Sequence, residues 1–225
     1  MKKLMFLISI TLMMFLAVAC QGDDDESGLG EIDVDVVATV NGEDITADDL
    51  LENEQFLIDN YEMAGLSIEG NEEEIRESAL NQIINTRIIV QNAINENLAP
   101  SDEELDEEYE TFVAELKQHY DTDDVDEIFS QFDTNEAEVK EDLRTDITIQ
   151  NYIDKNITVD DVSDEELQQA YDEYEEYLKS IEEEVPPFED VSELLKQQVV
   201  NDKQTQAERE LIERLRENSE IEVMI

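Results

Sequence analysis

Two side chains in this 225-residue chain occur once each and could do chemistry, Cys20 and His119. A thiol can attack, bind a metal or accept an acyl or alkyl group, and an imidazole can move protons near neutral pH. Neither has the company that catalysis needs. No serine or cysteine nucleophile is marked beside His119, which sits in the periodic segment from Leu105 to Tyr120 and reads as an ordinary helix-surface histidine. A lone thiol excludes an internal disulfide and a multi-cysteine metal site. The 63 Asp and Glu residues are so numerous that any two could be named an acid–base dyad. Their abundance argues against singling any out, and most read as solvated helix faces. No Gly-rich loop followed by Lys-Ser or Lys-Thr is present, so no nucleotide is expected. No catalytic residue, cofactor or metal site is expected.

Cys20 has another use. It follows Ala17-Val18-Ala19 at the end of an apolar run from Leu4 to Leu16, which is preceded by Lys2-Lys3. That run is too short to cross a bilayer core of about 30 Å, and the order of basic, apolar and small residues is that of a cleaved signal peptide over residues 1–19. The cysteine after small residues resembles the bacterial lipobox, with Ala17 standing where a large aliphatic residue is usual and Leu16 one place earlier. Cys20 is therefore expected to carry a lipid and to hold the protein at the cell membrane, on its extracytoplasmic face.

The formal charge is −49, and loss of Lys2 and Lys3 with the leader moves it to −51. Such a chain repels nucleic acid. It also repels an anionic membrane surface, which gives a covalent anchor a physical purpose. The charge suits a high-salt habitat, where the Debye length falls to about 3 Å at 1 M and self-repulsion is screened.

The elements that follow carry no site of their own but fix where apolar groups fall. Residues 20–35, with Asp23-Asp24-Asp25-Glu26-Ser27-Gly28, offer no apolar periodicity and read as an acidic flexible tether. Val36, Ala38 and Val40 alternate with polar or small neighbours before Asn41-Gly42, a strand entering a tight turn. Thr46 then caps a helix bearing Leu50, Phe56, Leu57 and Tyr61, which Gly65 ends. A long helix capped by Asn71 runs from Ile75 to Leu98 with apolar residues on more than one stripe, the expected core helix, and Pro100 stops it. Ser101 to Glu104 and Ser163 to Glu166 are capping boxes. The first opens a helix with Leu105, Phe112, Leu116 and Tyr120. Short and longer helices carry Val125 to Phe132 and Val139 to Ile153. The second box opens Leu167 to Ile181, Pro186-Pro187 breaks the chain, and a last helix carries Val191 to Leu215. Ile221, Val223 and Ile225 alternate as a terminal strand. Lone strands at the two ends need each other. The expected fold is mainly α, one helical domain over 36–225 with a single elongated core, closed by a small sheet of the N- and C-terminal strands.

The run Val37-Ala38-Thr39-Val40-Asn41-Gly42-Glu43-Asp44-Ile45-Thr46, the long helix to Leu98, the box at Ser163 leading to Tyr171, and the Phe188-Glu189-Asp190-Val191 helix with its terminal strand resemble the SurA N-terminal domain and the PrsA foldases. The resemblance covers about 36–225. In that family a parvulin prolyl isomerase domain is inserted before the closing helix. Here only about ten residues, Leu178 to Pro187, fill the gap, and the parvulin histidines and glycine-rich loop are absent. The resemblance therefore implies the chaperone half of a foldase and no isomerase.

What such a chaperone needs is apolar surface. Phe112, Tyr120, Phe129, Phe132 and Tyr177 are the candidate client-binding residues. Any of them periodic on a helix also suits a core, and Tyr177 stands off the face shared by Tyr171, Tyr174 and Leu178. The expected function is an ATP-independent, lipid-anchored chaperone that binds unfolded exported polypeptides through an apolar helical cradle. The alternative is a structural or adaptor lipoprotein that uses the same cradle for one folded partner. Oligomeric state, a homodimer included, stays open.

Overall fold

The computed structural model describes Leu29, residues 32–132 and residues 134–225. Among them are three strands and seven helices: β1 Val36–Val40, β2 Glu43–Thr46, α1 Ala47–Met63, α2 Glu72–Asn95, α3 Asp102–Tyr120, α4 Val125–Gln131, α5 Glu136–Asn156, α6 Asp164–Ser180, α7 Phe188–Glu217 and β3 Ile221–Val223. The mainly helical fold with a small sheet joining the two ends is as expected. Cys20, the leader and most of the tether lie outside the described residues.

Asn41 and Gly42 both have positive φ, 53° and 83°, the geometry of the two-residue hairpin turn that Asn-Gly favours. A Cβ on Gly42 would meet nothing within 4 Å, so the requirement there is conformational. The turn returns the chain as β2, which the polar sequence Glu43-Asp44-Ile45-Thr46 did not signal. The sheet order is β2-β1-β3, antiparallel throughout, with Val40 opposite Glu43 on one side and Ile221 on the other. Between Val36 and Ala38 the β1–β2 register shifts. Strict alternation fails there, and Val37 and Ala38 are both fully buried.

Helix starts follow the capping chemistry. The Thr46, Ser101 and Ser163 hydroxyls accept from the backbone N–H groups of Asp49, Glu104 and Glu166, and each of those carboxylates accepts from the cap's own N–H. Asn71 differs from expectation. It occupies the cap of α2, but its amide donates to the Ser67 carbonyl and makes no cap bond. Pro100 is also not what stops α2, which ends at Asn95 with Asn97 at φ 59°.

Two cores replace the single elongated one. The first gathers Val37, Val40, Ile45, Leu50, Ile84 and Ile88 with neighbours from the sheet, α1, α2 and the ends of α5 and α7. The second gathers Leu105, Phe112, Leu116, Ile128, Phe129 and Leu143 from α3, α4 and the start of α5. α5 joins them, placing Leu143 in one and Tyr152 in the other. The sequence shows one continuous run of amphipathic helices. The α3 apolar face finds its partners in seven-residue α4 and the start of α5, and together these form a separate cluster.

Inside the first core Glu54 is fully buried and pairs with Arg76 at 2.6 Å, linking α1 to α2. Arg216 of α7 donates to Asn85 Oδ1 at 2.6 Å and Asn81 Oδ1 at 3.1 Å on α2, which fixes the C-terminal end of the last helix.

Candidate functional site

α6 is the one helix among those described that is longer than two turns and buries no residue. It lies along the first half of α7 as a two-helix arm. Tyr171 and Tyr174 are half-buried toward α7, and Val191 and Leu195 are the buried residues that α7 contributes to its N-terminal half. The arm's tip is fastened by Tyr171. Its hydroxyl donates to the Pro186 carbonyl at 2.9 Å and its ring meets Phe188 edge-on at 5.3 Å, so the Pro-Pro turn is held against α6. Its base is fastened by Lys203, whose ammonium lies 2.9 Å from Glu166. The Glu166 carboxyl is pulled down to about 2 by the backbone N–H of Ser163, the Lys203 ammonium and the Ser163 hydroxyl, so it is ionised at any physiological pH.

Between the helices runs a groove of about 500 Å³. One stripe of α6 faces it, Glu166, Gln169, Ala170, Glu173, Tyr174 and Tyr177, at the spacings of three and four that put side chains on one helical face. Leu195, Gln198, Val199 and Asp202 of α7 face it from the other side. The floor is apolar or aromatic and the rim carries carboxylates. Tyr177 is 60 % exposed, and Leu194 and Ile181 on the same arm are 65 % and 48 % exposed. The lining offers apolar and aromatic contact beside carboxylates, the chemistry of non-covalent binding.

The five aromatic candidates separate. Phe112 and Phe129 are only 5 % and 4 % exposed and pack in the second core, so they cannot meet a client while that unit is folded. α4 packs on α3, and Phe129 of the one and Phe112 of the other meet in the same cluster. Phe132, at the end of α4, is half-buried, and Tyr120 is 37 % exposed with its ring 6.1 Å from that of Phe132, edge to face. Tyr177 stands alone of the five on the arm. His119 is exposed in the last turn of α3, beside Tyr120, as a surface histidine would be.

Leu194 and Ile181 were missed. Leu194-Leu195 is a signal in hindsight, because adjacent helical residues are about 100° apart and cannot both face one partner helix. One of the two had to remain outside.

The model of the SurA-like N-terminal domain family matches residues 1–153. The chain belongs to this family. Foldase protein PrsA of Clostridium perfringens (strain SM101 / Type A) is similar at 30 % identity over 181 residues, covering 76 % of this chain and 52 % of that protein. The chain thus spans about half the length of the curated relative it matches. The similarities are thus to a SurA-like domain family and to a protein named as a foldase. No parvulin isomerase domain is found in the matched region, and the interval between α6 and α7 holds only residues 181–187. The arm itself, from Asp164 onward, lies beyond the residues that the SurA-like model matches.

Proposed function

We propose that this SurA-like protein is an ATP-independent chaperone, tethered by lipid at Cys20 to the extracytoplasmic face of the cell membrane, that holds unfolded exported polypeptides on its α6–α7 arm. The observation that carries the reading is a 17-residue helix with no buried residue beside a groove lined by Tyr174, Tyr177, Leu195 and Val199. Burying such surface stabilises by about 25 cal/mol per Å² and demands no particular side-chain geometry, which suits many unrelated clients. Tyr120 and Phe132 offer a second, smaller contact. No helix among the described residues is long and apolar enough to cross a membrane, so attachment in this reading rests on the lipid.

An adaptor that docks one folded partner would use the same groove differently. Light scattering of several unrelated aggregating proteins separates the two: a holding chaperone suppresses aggregation of most of them at near-stoichiometric amounts. Suppression of none overturns the proposal, and so does suppression confined to one.

A further inference from the structure

The groove on the arm is apolar on its floor and electronegative on its rim, and the two properties together say more than either. Its lining includes Glu166, Glu173 and Asp202 and no Lys or Arg. Glu166 is satisfied by Lys203. Glu173 accepts from the Gln169 amide at 2.9 Å, and among the described residues neither Glu173 nor Asp202 forms an ion pair. The two carboxylates share the lining with Tyr174 and Tyr177, whose ring faces attract cations as well as apolar groups. The chain's overall charge of −49 adds a field of the same sign.

From these residues we infer that the groove selects extended segments in which an aromatic or aliphatic side chain is flanked by lysine or arginine, the apolar group lying on Tyr174, Leu195 and Val199 and the cations on Glu173 and Asp202. The inference rests on the holding function proposed above and names the kind of segment held. The lined stripe from Glu166 to Tyr177 is three helical turns, about 16 Å at 1.5 Å per residue, which matches about five residues of extended chain. A volume of about 500 Å³ lies within the usual range of binding clefts. An acidic segment is rejected at the same rim, so selection is by repulsion as much as by attraction. Because apolar contact is unscreened and charge contact is screened, the preference is a low-salt property laid over a salt-resistant grip.

The test uses the full chain and three fluorescein-labelled peptides of one length sharing a central Phe-Leu, flanked by lysines, by glutamines or by glutamates, with binding read by anisotropy at 50 mM and 1 M NaCl. At low salt the lysine peptide should bind about fivefold tighter than the glutamine peptide, the summed effect of two exposed charge pairs, and the glutamate peptide weakest. At 1 M NaCl the three should converge. In the exposed double variant Glu173→Gln/Asp202→Asn the ratio of lysine-peptide to glutamine-peptide affinity should fall to near unity. Equal binding of all three peptides at low salt, with the glutamine peptide bound, overturns the selectivity and leaves the holding function standing. A preference that survives in the double variant overturns the assignment to this groove. Failure of every peptide to bind overturns the holding function as well.

Discussion

Asn41 and Glu220 bind each other twice: the Asn41 backbone N–H donates to the Glu220 carbonyl at 2.8 Å, and the Glu220 N–H donates to Asn41 Oδ1 at 2.8 Å. The Asn41 amide also donates to Gln91 Oε1 at 2.8 Å on α2. One turn residue thus ties the first hairpin, the core helix and the entry to the last strand, across 179 positions of sequence.

Removing Ile221–Ile225 should lower the melting temperature by roughly 3–8 °C, because it takes away the β1–β3 ladder and the bond from the Met224 N–H to the Val37 carbonyl. It also bares the β1 edge. An unchanged transition in calorimetry would show that the terminal segment contributes nothing to the fold.

The Glu54–Arg76 pair gives a sharper test of the first core. Arg76→Met leaves a carboxylate buried without its cation and should cost about 3 kcal/mol, or roughly 6–12 °C in Tm. The double variant Glu54→Leu/Arg76→Met should recover most of that loss, since an apolar pair of similar size needs no compensation. Denaturant melts in which the double variant is no more stable than Arg76→Met would contradict this account of the pair.

Acid should act on the arm's base through Glu166. Its carboxyl is held well below its unfolded value, so its bonds to Ser163 and Lys203 stabilise the folded state above the unfolded pKa, and that stability is lost as pH falls toward about 2. Glu166→Gln should therefore melt lower than the parent at pH 7, and the gap should close between about pH 4.5 and 2. Asp142 and Asp146 act in the opposite sense. Burial first, then neighbouring carboxylates, raises both above the ordinary 3.8, so their protonation favours the fold as pH falls toward 3.8, above most of the range in which Glu166 acts. A Glu166→Gln gap independent of pH would show that the carboxylate's charge has no part in holding the arm.

Cys20→Ser tests the anchor. The substituted protein should leave the membrane fraction, or stay unprocessed and migrate more slowly in gels. Identical fractionation and migration of the two proteins would remove lipidation from the account.

Much of this fold can be read directly from the residues. Hydroxyl-x-x-carboxylate boxes at Thr46, Ser101 and Ser163 and the positive-φ pair Asn41-Gly42 are local chemistry, and local chemistry survives into the structure. What could not be read is non-local. Whether Phe112 faces solvent or core depends on where α4 folds, and nothing in the α3 sequence specifies that. Glu54 lies on the same face of α1 as Leu50 and Ile58, and its burial depends on Arg76 arriving from another helix. The arm is half legible: Tyr177 stands off the shared face by helical spacing, whereas Leu194, exposed outside the groove, becomes visible only once α7 shows that it turns Leu195 to α6.

In the proposed function the apolar face of the α6–α7 arm holds unfolded chains, a property open to direct test. Its most direct measurement is aggregation suppression by Tyr177→Ser/Leu194→Ser, two exposed positions whose replacement should leave Tm within about a degree. Light scattering of a chemically denatured client, diluted into buffer with 1 M NaCl to screen charge, isolates the apolar contribution. The expected result is that the parent protein still suppresses aggregation in molar salt and that the double variant loses most of that effect while remaining folded. Full suppression by the folded double variant would place the client elsewhere on the molecule and contradict the claim.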